Sequence, residues 1–288
     1  MNILTFDIED WFHFLDHPST EKMKDWGNFP SRLDQGIKRI LRLLADTNSK
    51  ATFFCLGWVA EKYPRLVQEI ADEGHEIGSH SYAHQLVYQQ TKHAFKEDLR
   101  RSIDVLEAVT GKKVVSYRAP GFSITKESQW AFDELVRSGI EIDCSVFAAN
   151  RSHGGLPTLH NAVTPFNLEV GEGTLKCLPL NVVKVLNKNF VFSGGGYFRI
   201  TPFWVSSILI ENSDYVMTYF HPRDLDPDQP KLSDMSFLRS FKANVGLKGC
   251  ENKLRKLITQ FEFLTVGDCV TAINWDSVGS IRCGNLDA

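Results

Sequence analysis

Apolar positions along the first half of the chain switch between two periods. Short saturated runs, "NILTFD" (2–7), "ATFFCLG" (51–57), "HEIGSHS" (75–81), "KVVSYRAP" (113–120) and "IEIDCSVF" (140–147), have the length and residue types of buried strands. Between them lie stretches with helical spacing. "LDQGIKRILRLLADTNS" (33–49) carries apolar residues at 33, 37, 40, 41 and 44, and 59–74, 91–111 and 125–139 each end on a glycine, the residue favoured just past a helix C-terminus. Strand and helix alternate through short loops, so the pattern predicts βα units on a parallel sheet, open or closed into a barrel. In such folds chemistry gathers at the C-terminal ends of the strands. Asp7, His80, Arg118 and Asp143 all fall at or near predicted strand ends.

The second half is less regular. Residues 148–176 are rich in Gly, Pro, His and Asn, and "TLKCLPLNVVKVL" then resumes an extended pattern. "FSGGGYFR" (192–199) reads as a glycine-rich turn without the spacing of a phosphate cradle. A Thr-capped helix is predicted over 201–213, a strand over 215–222 ending in His221, and a helix over 249–261. One domain over 1–275, with an irregular insertion at about 148–200 and a flexible tail over 276–288, is the expected organisation.

Composition narrows the classes. A net charge of −3 with no basic run gives no electrostatic footprint for nucleic acid. No apolar run is long enough to span a membrane, and the N-terminus lacks a signal-peptide pattern, so a cytoplasmic protein is expected. Six cysteines without paired spacing are expected to be free thiols. Twenty Phe and six Trp are generous, and are read first as core and then as walls of a cleft for an uncharged ligand.

Two clusters carry candidate chemistry. "EIGSHSYAH" places His80 and His84 four residues apart directly after a strand. An isolated pair with this spacing is ordinarily a solvated helix face, but Gly78, Ser79 and Ser81 are turn-forming residues. Two neutral imidazoles and a carboxylate are a zinc-type ligand set. "TFDIED" supplies three carboxylates, Asp7, Glu9 and Asp10, a cluster that persists only if solvated or facing a cation.

In order, "TFDIED", "GSHSYAH", "YRAPGF" and "MTYFHP" resemble the motif series of the polysaccharide deacetylases, the NodB homology or carbohydrate esterase family 4 group. "TFDIEDWF", "YRAPGFSIT", "IDCSVF", "SGGGYFRITPFW" and "YFHPRDLDPDQP" further resemble a bacterial branch associated with exopolysaccharide biosynthesis, over about residues 3–270. The resemblance implies a distorted (β/α) barrel of about seven parallel strands with a loop-rich C-terminal elaboration. It implies hydrolysis of an N-acetyl group from an amino sugar, with one divalent ion: zinc, or alternatively cobalt, nickel, manganese or iron. The implied partner is an amino-sugar-containing saccharide.

Carried over position by position, Asp7 resembles the catalytic base and Arg118 the cation paired with it. His80 and His84 resemble the metal ligands, and His221 the acid that protonates the leaving amine. The Gly121 N–H resembles the oxyanion donor. Three departures stand out. The carboxylate ligand is Glu9 or Asp10, with Asp10 preferred for its length. Gly121 replaces an aromatic, leaving Phe122 to form the cleft wall. No D-x-x-W motif is present to orient His221, and Asp143 is the candidate substitute. Trp11, Tyr197 and Arg199 are further candidates for sugar contact. The competing readings are a hydrolase of another C–N bond, of deformylase or cyclic-ureide type, and a non-catalytic carbohydrate-binding derivative of the fold.

Overall fold

The computed structural model of the chain describes residues 1–149, 153–156, 163–185, 188–232 and 234–284. Strand β1 (Asn2–Ile3) runs into β2 (Thr5–Ile8), the edge of a parallel row continued by β3 (Thr52–Cys55), β4 (Glu76–Ser79), β5 (Ser116–Tyr117) and β6 (Ile142–Asp143). β7 (Phe166–Val170) and β8 (Gly173–Cys177) form an antiparallel hairpin, and β8 lies parallel to β6. The second half thereby extends the sheet of the first. A small antiparallel pair, β9 (Val183–Val185) and β10 (Lys188–Phe190), follows.

The sheet is drawn round on itself at the N-terminus. β11 (Val216–Met217) pairs in parallel with β1, and an isolated bridge joins Phe6 to Phe220. The first strands therefore have β3 on one side and 216–220 on the other, as a distorted barrel requires. Inside, Phe6 stacks on Phe53 at 5.2 Å and meets Phe220 at 6.0 Å between ring centroids. Parallel strands covered on both faces read as unbroken apolar runs, which explains the saturated segments of the sequence.

Helices cover the outside. α1 (Leu33–Asp46) buries Leu33, Ile37, Ile40, Leu41 and Leu44, the expected stripe. The single helix expected over 59–74 is two, α2 (Gly57–Lys62) and α3 (Pro64–Asp72). Pro64 has no N–H to give and pushes Tyr63 out of the helical region, to φ −132° and ψ 55°, before opening α3 at its first position. α4 (Lys92–Thr110) is capped by the Thr91 side chain and ended by Gly111 in the left-handed region, as the sequence predicts. α5 (Trp130–Arg137) covers β8.

The glycine-rich stretch predicted as a turn opens a helix, α6 (Gly195–Ile200), which leads to α7 (Phe203–Glu211). Gly194 is there because it lies flat against residue 219: a Cβ would sit 2.0 Å from the Tyr219 carbonyl oxygen. α8 (Phe237–Asn244), α9 (Leu247–Gln260) and α10 (Val266–Ala272) follow. Within the tail expected to be flexible over 276–288, Ser280–Arg282 form β12, which pairs with β7, and residues 285–288 lie outside the described residues. All six cysteines are free, five of them buried. No helix among the described residues is long and apolar enough to cross a membrane.

Candidate metal centre and active site

The turn carrying the histidines is wound around one side chain of α4. The backbone N–H groups of Tyr82 and Ala83 both donate to the Asp98 carboxylate, at 2.8 and 2.9 Å. One turn further along α4, the Ser102 hydroxyl donates to the Ser81 carbonyl at 3.0 Å and meets the Ser79 hydroxyl at 2.8 Å. Held this way, Ser81 and His84 adopt φ of 69° and 52°, a left-handed conformation that non-glycine residues reach at a cost of about 1 kcal/mol or more. The pair is therefore a strained turn and no helix face.

The strain brings both imidazoles to one point, 5.4 Å apart between centroids and buried. His80 donates from Nδ1 to the Arg118 carbonyl at 2.8 Å, which leaves its Nε2 lone pair free. Burial lowers the pKa of His80, and that of His84 to about 4, so both rings are neutral, as ligands must be.

Glu9, past the end of β2, completes the group. Its Oε2 lies 3.1 Å from His84 Nε2, and Glu9, His80 and His84 can offer three donor atoms within 4.8 Å of one another. Burial pushes the Glu9 carboxyl up, but His84 and His221 outweigh it and hold the group far below the ordinary carboxylate range. The preference for Asp10 is overturned. Its oxygens accept from the backbone N–H groups of Trp11 at 2.8 Å and Arg32 at 3.1 and 3.2 Å, so it ties down the loop after β2. A medium-length side chain two residues beyond Asp7 reaches the histidines, whereas the third residue has turned away.

Asp7 sits beside this group, buried. Its Oδ1 receives a hydrogen bond from Arg118 Nη1 at 2.7 Å, and its Oδ2 lies 3.9 Å from His221 Nε2. Arg118 is fully buried; it also donates to the Thr5 hydroxyl at 2.6 Å and lies 4.2 Å over the Phe54 ring. His221 reaches the site from the far side of the barrel seam. Its Nε2 is 3.0 Å from Glu9 Oε1, and its Nδ1 is 2.9 Å from Asp224 Oδ2. Burial works against a charged imidazole here, but Glu9 and Asp224 outweigh it and raise the His221 pKa well above the ordinary value.

Asp224, three residues beyond His221, is the partner the sequence analysis missed. Arg199 lies 3.1 Å from its other oxygen, and this pairing with Arg199 and His221 outweighs burial to bring Asp224 to about 2. Asp143 does not orient His221. Its Oδ2 accepts from the Ser145 N–H at 3.0 Å, at the end of β6, and Ser145 Oγ in turn accepts from the Ala119 N–H.

The remaining candidates separate. Arg199 points inward to Asp224, and its Nη1 donates to the Ala243 carbonyl at 2.9 Å, so it is no surface sugar contact. Tyr197 is 39% exposed on α6. Trp11 is buried, donating from Nε1 to the Pro30 carbonyl at 2.9 Å and packing edge-on against Phe29, a core role. Phe122 is buried between Phe147, Tyr219 and the Arg118 guanidinium. Gly121 has φ 61°, and a Cβ there would meet Leu15 at 2.7 Å, so the bulky aromatic of the family pattern has no room. Of the other histidines, His13, His17 and His75 are buried, His93 is exposed, His153 is half-buried with its Nδ1 2.8 Å from Asp16, and His160 lies outside the described residues. His13 accepts the Asp10 N–H at 3.0 Å, and its ring lies 6.0 Å from that of His84.

Three residues able to hold a metal ion thus gather at the C-terminal rim of a βα barrel, beside a second carboxylate and a third imidazole. In comparison with known sequences, residues 13–137 match the polysaccharide deacetylase family, and residues 144–271 match a domain of unknown function, DUF3473. Over that first segment the chain is thus similar to the polysaccharide deacetylases of the NodB homology, carbohydrate esterase family 4 class. It is 28% identical over 141 residues to a peptidoglycan deacetylase of Helicobacter pylori, 49% of this chain and 43% of that one. It is 34% identical over 97 residues to a peptidoglycan-N-acetylglucosamine deacetylase of Bacillus cereus, 33% of this chain and 35% of that one. The chain therefore spans less than half the length of these curated relatives.

Solved structures share the fold. A crystal structure from Mycobacterium smegmatis, itself provisionally assigned as a polysaccharide deacetylase, superposes with a TM-score of 0.63 at 19% identity over 96% of this chain and 91% of that one. The Bc1960 peptidoglycan N-acetylglucosamine deacetylase does so with 0.50 at 18% identity, over 93% and 86%. His221, Asp224 and Arg199 all lie in the DUF3473 region, while Asp7 and Glu9 precede the deacetylase match.

Proposed function

We propose that the chain removes the N-acetyl group from an amino sugar within a saccharide, with a divalent ion held by Glu9, His80 and His84. The observation that carries this reading is the meeting of those three ligands with Asp7 and His221, drawn from three separate strand ends. The donor set suits zinc: two neutral nitrogens, one with its tautomer fixed from the backbone, and one carboxylate. Such an ion supplies Lewis acidity toward an amide oxygen and toward water.

The chain's own groups then divide the proton work. Asp7, oriented by Arg118, takes a proton from the attacking water. The N–H of Gly121, next to the Arg118-Ala119-Pro120 segment, is assigned to the developing oxyanion on the sequence resemblance. His221 delivers a proton to the leaving nitrogen, and Asp224 fixes it as the Nδ1–H donor with Nε2 toward the site. Arg199 holds Asp224 ionised and in place. Acetate and a free amine are the products. The reading takes zinc as the ion and a polysaccharide precursor in the cytoplasm as the substrate, in line with the sequence resemblance.

The test is acetate release from N-acetylglucosamine oligomers by protein loaded with one equivalent of zinc, with the deacetylated product identified by mass. Formate or a ring-opened ureide in place of acetate would move the reading to another C–N bond. Absence of product at full metal occupancy, over a range of acetylated oligomers, would leave only the binding derivative.

A further inference from the structure

α8 is a helix with no buried residue. Its large apolar side chains face solvent: Phe237 is 87% exposed, Leu238 62% and Phe241 55%. The neighbouring helices add Ile200 on α6 and Trp204 on α7, 57% and 66% exposed. α6 is tied to its neighbours on two sides: Arg199 of α6 donates to the carbonyls of Lys242 and Ala243 at the end of α8, and Lys253 of α9 donates to the carbonyls of Phe198 and Thr201 at the C-terminal end of α6. Water-facing Phe, Leu and Trp concentrated in this way mark a contact surface.

Charge says what covers it. The chain as a whole carries −3, yet residues 231–256 hold seven Lys and Arg against two acids. Lys231, Lys242, Lys248 and Lys256 are exposed, and α8 itself carries Arg239 and Lys242 with no acid. A short helix with Phe and Leu outward and Lys and Arg flanking them is the pattern of a segment lying in a lipid interface, apolar side chains in the acyl boundary and cations among the headgroups. A second copy of the chain is a poorer fit, because a two-fold contact would set the exposed Lys242 against the same cation of the other copy.

We infer that α8, with the exposed sides of α6 and α7, docks on an anionic lipid bilayer as a peripheral contact. The inference does not depend on the deacetylase reading. Placement gives it consequence, since Arg239 donates to the Leu15 and Asp16 carbonyls of the loop that abuts Gly121, so the docking helix braces the rim of the site.

Co-sedimentation with vesicles tests it. The protein is expected to bind phosphatidylcholine vesicles containing phosphatidylglycerol, to release as salt is raised, and to ignore phosphatidylcholine alone. The double substitution Phe237→Ser and Phe241→Ser should weaken binding about tenfold or more, with Lys242→Glu weakening it less, while circular dichroism and zinc content stay unchanged. Failure of the parent protein to bind would overturn the proposal, as would a double variant that binds equally well. So would sedimentation velocity showing a dimer that the double variant splits, which would make this face a contact between copies.

Discussion

Asp143 is a buried carboxyl, one of whose oxygens accepts from the Ser145 N–H. Burial, only partly offset by the Ser145 bonds, raises its pKa from 3.8 to about 6. The folded form then holds its proton more tightly than the unfolded chain. Its contribution to stability is therefore full below about pH 4 and is lost as pH rises to 6, a difference of about 3 kcal/mol. Asp143→Asn, which cannot ionise, should gain about that much relative to the parent between pH 4 and pH 7 in denaturant titrations. A pH-independent difference would mean the carboxylate is stabilised by groups not identified at this end of β6.

At the same scale, the carboxylates after β2 have separable tasks. Glu9→Gln should lose metal, read as zinc per chain after dialysis, whereas Asp10→Asn should keep it and lower stability by loosening the Arg32 loop. Asp7→Asn should keep metal and lose about 10²–10⁴ in turnover. Three acids in four residues were legible as a cluster, but which one faces inward depends on where the strand ends. The Arg32 backbone that captures Asp10 lies 22 residues away and leaves no mark in the motif.

At the scale of elements, the histidine turn depends on α4. Asp98 neutralises two N–H groups of a turn whose φ angles are costly, so Asp98→Ala should release the strain by letting the turn relax. Metal affinity should fall about 10–100-fold with α4 still helical by circular dichroism. Unchanged affinity would show that Ser102 alone suffices. The helix was readable from its period and caps, yet Asp98 looks there like one more solvated acid. α6 makes the same point: three glycines predicted a turn, and the packing of Gly194 on Tyr219 converts it to a helix that turns Arg199 inward. Arg199→Met should lower kcat up to about 100-fold with KM little changed, and Arg199→Lys should restore part of it, because a cation is needed beside buried Asp224.

At the scale of the molecule, the two family matches meet near residue 140, but the physical unit ignores that boundary. β6 of the first half pairs with β8 of the second, and β1 pairs with β11. Phe6 and Phe53 share their cluster with Phe220 and Phe198. The active-site candidates are split likewise, with Asp7, Glu9, His80 and His84 in the first half and His221, Asp224 and Arg199 in the second. The alternation of elements revealed the βα rows because each is a local repeat; the seam between residues 2–6 and 216–220 is a pairing over more than two hundred positions with no local signature. A fragment of residues 1–143 exposes both sheet edges and the inner face of β2, and each lost contact of a buried Phe weighs about 2–3 kcal/mol against a net stability of only about 5–15. It should therefore show no cooperative thermal transition and bind no zinc tightly, while the full chain does both. Cooperative melting of the fragment would mean that the first half folds alone and that the second was added as a separate body supplying the acid.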